Sequence, residues 1–303
     1  MQYYNIESAR NAFSKGENVT DHLREQLGVS ENSSEIIEIA YDLQAGSYIE
    51  YTKADPDFAN SVANAYANIL RDWLSPNDTL LDVGTGEMTT YSLVLKRIIS
   101  NLSKAYAFDI SWSRVYKGIA FSKEILGKDF DKLRPFVADM KRIPLADKSV
   151  DITTSSHALE PNGGNLSILL SELFRVTRGK LILFEPSYET NSDEGKARMD
   201  KLGYIKGMDE VVRSLGGRVV DFKRMPTIAN PLNPTACFII EPPTINETKR
   251  ELNADMFTLP GTSLLLEKHE EFFVSKESGL AFPVLKSIPV LKTDNAVLAT
   301  ALC

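Results

Sequence analysis

The chain has 303 residues, 43% hydrophobic and 25% charged, which excludes a fibre or a disordered tail and fits an ordinary globular protein. Its 34 basic and 41 acidic side chains leave a formal charge of −7, so phosphate backbones are repelled overall and a nucleic-acid partner is disfavoured. Two cysteines, Cys237 and Cys303, can build neither a disulfide framework nor a cysteine-rich metal site, and they fit a reducing cytoplasm.

The amino terminus lacks the basic flank and apolar run of a secretory signal, and no stretch approaches the ~18 apolar residues of a membrane span, so a soluble cytoplasmic chain is expected. Residues 1–75 are polar, and apolar residues recur every three or four positions in Glu35 to Ile49 and Phe58 to Trp73. They predict an all-helical cover. Pro76-Asn77-Asp78 breaks that rhythm. Short apolar runs then follow at Leu80–Val83, Ala105–Phe108, Pro135–Ala138, Val150–Thr153 and Lys180–Phe184, each separated by enough chain for a helix. Parallel strands need such crossovers, so residues 76–245 predict a Rossmann-like, doubly wound, mostly parallel α/β sheet. Gly217–Phe222 and Thr235–Ile240 are expected to close it as an antiparallel hairpin at the edge. A proline-marked linker from Glu241 to about Asn253 leads into a small α+β module, residues 246–303. A unit of that size is marginal alone and is expected to pack on the main domain or on a second subunit, as in a homodimer.

The most informative stretch is Leu80-Leu81-Asp82-Val83-Gly84-Thr85-Gly86-Glu87, a strand entering a glycine turn and then a helix. Glycine lets the backbone turn sharply and lets a ligand approach it. Three acids stand in register with the turn: Asp82 before it, Asp109 at the end of the next strand and Asp139 at the end of the one after. Dinucleotide sites share the acid after the second strand, yet they expect a third glycine where this chain has Thr89. Asp82 and Glu87 beside the turn suit a cationic, phosphate-free ligand better than a pyrophosphate.

This combination resembles the class I S-adenosylmethionine-dependent methyltransferases from about Thr79 to Pro242. The resemblance implies that Asp82, Gly84, Thr85 and Gly86 hold the methionine part of the cofactor. It also implies that Asp109 binds the ribose hydroxyls, Ile110 packs on adenine, and Asp139-Met140 address the adenine edge. The family often has a third glycine at the position of Met88, whose side chain is therefore expected to narrow the space around the methionine tail.

Ligands of open α/β sheets bind beyond the carboxyl ends of the strands, which places Ser155-Ser156-His157-Ala158-Leu159-Glu160 beside the transferable methyl. His157 is either a general base oriented by Glu160 or a wall residue, with Glu160 starting the next helix. Ser155 is expected to touch the cofactor. Glu185, after the fifth strand, either binds an acceptor hydroxyl or amine or caps the following segment. In the cover, Tyr48 or Gln44 either meets the methionine carboxylate or belongs to a helix core.

Phe257-Thr258-Leu259-Pro260-Gly261-Thr262, the run Ser275 to Pro283 and Ile288-Pro289-Val290-Leu291 together resemble a Trm112-type domain, a family that activates methyltransferases. Its zinc-binding members use cysteines. Leu259 stands where one would be expected, so no metal is expected here. The leading expectation is methyl transfer to a small-molecule or carbohydrate-like (glycan) acceptor. Two other readings stay open: a tRNA or protein acceptor, which a basic stripe at Lys96, Arg97, Lys104, Arg114 and Lys117 would support, and a cofactor-binding scaffold without catalysis.

Overall fold

A computed structural model describes residues 6–226, 229–244 and 257–303. Helices α1 (Ile6–Ser14), α2 (Val19–Leu27), α3 (Ser34–Leu43), α4 (Ser47–Ala54) and α5 (Pro56–Arg71) form the expected cover. Asn18, Ser33 and Asp55 cap α2, α3 and α5 by accepting from backbone N–H groups of the first turn. The periodic stretch Glu35–Ile49 is two helices rather than one, because Gly46 adopts φ +107, which ends α3 and re-aims α4.

The sheet begins with β1 (Asp78–Val83) and continues through β2 (Leu102–Asp109), β3 (Leu133–Val137), β4 (Val150–Ser156), β5 (Thr177–Pro186), β6 (Arg218–Arg224) and β7 (Thr235–Glu241). Its order is β3-β2-β1-β4-β5-β7-β6, with only the β5–β7 and β6–β7 pairings antiparallel. The crossovers carry α6 (Thr89–Ile98), α7 (Trp112–Leu126), α8 (Leu166–Val176), α9 (Asp193–Leu202) and α10 (Met208–Ser214). Alternate strand residues serve opposite faces. Leu81, Tyr106, Phe108, Leu181 and Leu183 face α8 and α10, while Leu80, Ala105, Ala107 and Ile182 face α5, α6 and α7. Alanines on the second face let those helices approach closely.

Strands β8 (Glu267–Lys268), β9 (Phe272–Ser275), β10 (Leu280–Leu285), β11 (Ile288–Pro289) and β12 (Val297–Leu298) make a small antiparallel sheet. It packs on the main domain of its own chain. Leu291 N donates to Val137 O at 2.8 Å, which covers the exposed edge of β3. A row of aromatic contacts, Phe108–Phe136, Phe136–Phe257 and Phe257–Phe273 at 5.0–5.4 Å between rings, joins the two cores. Lys292 pairs with Glu38 of α3, so the module also touches the cover. The boundary expected at 245 and much of the expected linker lie outside the described residues. Among the described residues no helix is long and apolar enough to cross a membrane.

Candidate active site

The glycine turn follows β1 directly. Gly84 and Gly86 have φ +62 and +57, and Met88 follows at +54 to start α6. A Cβ on Gly84 would lie 2.4 Å from the Ala158 Cβ, and one on Gly86 would lie 2.5 Å from the Arg114 guanidinium. The glycines thus make room first for the protein's own side chains. Met88 takes a backbone shape that favours glycine, and its fully buried side chain packs between α6 and α7 against Ser122 and Gly118. The expectation that it narrows the methionine space is therefore corrected: Met88 points away from the cleft and into the core.

Asp109 organises the turn. Its Oδ2 accepts from Gly86 N at 2.8 Å and its Oδ1 from Ser111 N at 2.9 Å. Each oxygen keeps a lone pair for a ligand hydroxyl. Asp109, Ile110, Asp139 and Met140 come together in a slot of about 60 Å³, walled also by Phe108 and by Ile37 and Tyr41 of the cover. Asp139 Oδ1 accepts from Lys141 N at 2.8 Å, which fixes the carboxylate at the slot's edge. An apolar slot of this size, flanked by a carboxylate with spare acceptor capacity, suits the hydroxyl-bearing edge of a ring rather than a whole ligand.

Beyond Gly84 the cleft opens into a chamber of about 440 Å³ lined by Asp82, Thr85, Gly86, Ser155, His157, Glu160 and Tyr48, with Tyr66 and Phe184 stacked 3.6 Å apart on one wall. Burial pushes the Asp82 carboxyl up from 3.8 to about 7, against the opposing effect of the Thr154 hydroxyl, which donates to Asp82 Oδ1 at 2.8 Å. Asp82 is accordingly a weaker anion than its place beside the turn suggests. Glu87 is spent on the cover: its two oxygens accept from Gly46 N and Ile49 N, each at 2.9 Å. Thr85 Oγ1 is buried in the chamber wall, and its hydroxyl joins that of Thr154 in opposing the upward push on the Asp82 carboxyl.

His157 leaves β4 at φ +53, with its N–H bonded to Phe184 O at 3.0 Å. Its Nδ1 lies 2.7 Å from Glu160 Oε2, and Nε2 lies 2.7 Å from the Thr235 hydroxyl. Asn233 Nδ2 donates to the same Glu160 oxygen at 3.0 Å. The carboxylate makes Nδ1 the protonated nitrogen and leaves the Nε2 lone pair toward Thr235 and the chamber. Burial alone would push the imidazole down, but the Glu160 hydrogen bond and charge outweigh it and hold the ring above its ordinary 6.5. Glu160 lies in the loop well before α8, so it is His157's partner and not a helix start.

Two expectations change here. Glu185 does not line the chamber: it is fully buried, and its Oε1 accepts from Ser155 Oγ (2.7 Å), Ala158 N (3.0 Å) and Leu159 N (3.1 Å). It fixes the His157 loop from beneath, and it also takes the one proton of the Ser155 hydroxyl, which leaves that oxygen only as an acceptor toward the chamber. The supposed basic stripe is likewise not continuous. Lys104 and Arg114 are buried, Arg97 bonds Asn60 Oδ1 at 2.8 Å, and of the exposed Lys96 and Lys117 the second bonds Ala45 O at 2.6 Å. The residues that sequence reasoning missed, Tyr41, Tyr66, Asn233, Thr235 and Arg114 as a cleft residue, come from the cover, from the return into β7 and its first residue, and from the first turn of α7. Thr235 alone had a readable signal, because an antiparallel β7 beside β5 puts it opposite Pro186, at the same end of the sheet as His157.

Residues 81–183 match a family described as a methyltransferase domain. No curated protein matches the chain. Among solved structures, a chain from a complex containing the Haloferax volcanii Trm112 methyltransferase activator aligns with 67% of this chain and 97% of its own at 17% identity, TM-score 0.52, a likeness of fold. Geranyl diphosphate C-methyltransferase from Streptomyces coelicolor aligns with 59% of this chain and 79% of its own at 14% identity, TM-score 0.47.

Proposed function

We propose that this chain, an S-adenosylmethionine-dependent methyltransferase, methylates a small, ring-bearing acceptor that enters the 440 Å³ chamber. The observation that carries this reading is the chamber itself. It lies beneath α4 and α5, is walled by Tyr48, Tyr66 and Phe184, and meets the His157–Glu160 pair at one side. Aromatic walls bury the apolar face of a ring-bearing ligand. A tRNA groove has less support, since two of the five basic residues that would line it, Lys104 and Arg114, are buried. The cofactor supplies a methyl group on a sulfonium, ready for displacement.

The protein's own work is alignment and proton removal. An acceptor hydroxyl or amine takes the place of Thr235 at His157 Nε2 and gives up its proton there. Glu160 holds Nδ1–H and stabilises the imidazolium, while Asn233 steadies Glu160. Glu185 fixes the loop that carries the base. Residues 257–303 act as a built-in support of the Trm112-like kind: Leu291 and Phe257 brace β3, whose end leads into Asp139 and Met140.

Transfer of labelled methyl to a panel of small ring-bearing alcohols and amines, nucleotide sugars, tRNA and protein tests the acceptor class. Label in tRNA or protein alone contradicts this reading. His157→Ala should lower turnover about 10²-fold or more without changing cofactor affinity. Because Glu160 holds His157 above 6.5, wild-type kcat should rise with pH through a value above the ordinary one for histidine. A flat profile contradicts the base.

A further inference from the structure

Arg114 stands where the two halves of the cleft meet, lining the slot beside Asp109 and also the chamber beside Gly84. Its side chain is only 9% exposed. The carboxylates it faces are Glu87 Oε1, 3.8 Å from Nε, and Asp109 Oδ2, 4.0 Å from Nη1, ion pairs too long to be hydrogen bonds. Both acids are already served by backbone N–H groups: Glu87 by Gly46 and Ile49, Asp109 by Gly86 and Ser111. The guanidinium is not served, and Nε is buried without a hydrogen-bond partner. The rings of Tyr41 and Tyr48 lie 5.2 and 4.8 Å from Cζ, contacts that hold the cation through ring faces and supply no in-plane oxygen to accept from its N–H groups. A buried cation short of acceptors at a cavity junction is built to meet an anionic ligand group.

We propose that Arg114 recognises the α-carboxylate of the cofactor's methionine part, the one anionic group on that molecule, and so selects for the amino-acid tail. The inference rests on the cofactor assignment. One molecule can run from slot to chamber only if the junction is cleared. Gly86 places no Cβ in the way, so the long arginine stem can turn its head toward the chamber, where the tail lies.

Calorimetric titration with S-adenosylhomocysteine and with its decarboxylated analogue, S-adenosyl-3-thiopropylamine, tests this on wild type, Arg114→Gln and Arg114→Lys. Arg114→Gln should lose about 10- to 100-fold in affinity for S-adenosylhomocysteine. Its affinity for the analogue should stay within about 3-fold of wild type, a result that also shows the variant to be folded, and Arg114→Lys should recover part of the loss. Equal losses for both ligands, no loss for either, or tighter binding of both would overturn the proposal, the last by making the guanidinium a mere obstruction. Failure of wild type to bind S-adenosylhomocysteine would instead overturn the cofactor assignment, and this inference with it.

Discussion

Replacing Glu185 by glutamine keeps the side chain's shape and the oxygen that Ser155, Ala158 and Leu159 use; it puts an amide NH2 in place of the unpartnered Oε2, a change independent of pH, and removes the titration. Burial pushes this carboxyl up from 4.5 to about 7, with His157 opposing and Glu160 reinforcing the effect. Between those two values the unfolded chain has already released a proton that the folded chain retains. The contribution of Glu185 to stability is therefore complete below 4.5 and is lost as pH rises through about 7. The gap between 4.5 and about 7, at about 1.4 kcal/mol per pH unit, makes the swing about 3 kcal/mol. Urea unfolding of both proteins at about pH 4 and about pH 8 measures it. Wild type should lose about 3 kcal/mol relative to Glu185→Gln on going to the higher pH, and a difference that stays constant to within about 1 kcal/mol refutes the reasoning.

Gly84→Ala places a Cβ 2.4 Å from the Ala158 Cβ at φ +62, so it should cost about 2–4 kcal/mol; an unchanged Tm contradicts the close packing of turn and loop. Glu87→Gln leaves one acceptor for the two N–H groups of Gly46 and Ile49, so backbone hydrogen exchange in α4 should quicken about 10-fold. Unaltered exchange there would show that Glu87 does not latch the cover.

The parallel strands are legible in the sequence because each is a short apolar run between helix-length crossovers; Leu80–Val83 and Lys180–Phe184 fall inside β1 and β5. The acid register is legible for the same reason, since Asp109 and Asp139 mark strand ends that the sheet brings side by side. What stays hidden depends on contacts distant in the chain. The break at Gly46 is held by Glu87, 41 residues away. Arg114 reads as one more cation on a helix until Tyr41 and Tyr48 close over it. Glu185 reads as a crevice residue, yet its carboxylate turns under the His157 loop, where the N–H groups of Ala158 and Leu159 point inward and need an acceptor. Met88 reads as a bulky residue in a glycine's place, and only the left-handed backbone shows that its side chain leaves the cleft.

The central claim is that the cleft beyond β1, β2 and β3 holds the adenosyl group of S-adenosylmethionine through Asp109. Calorimetric titration of S-adenosylhomocysteine into wild type and Asp109→Asn tests it most directly. Micromolar binding to wild type, weakened about 30-fold or more in the variant, is the predicted result. Equal affinity for the two proteins, or no binding to either, would contradict it.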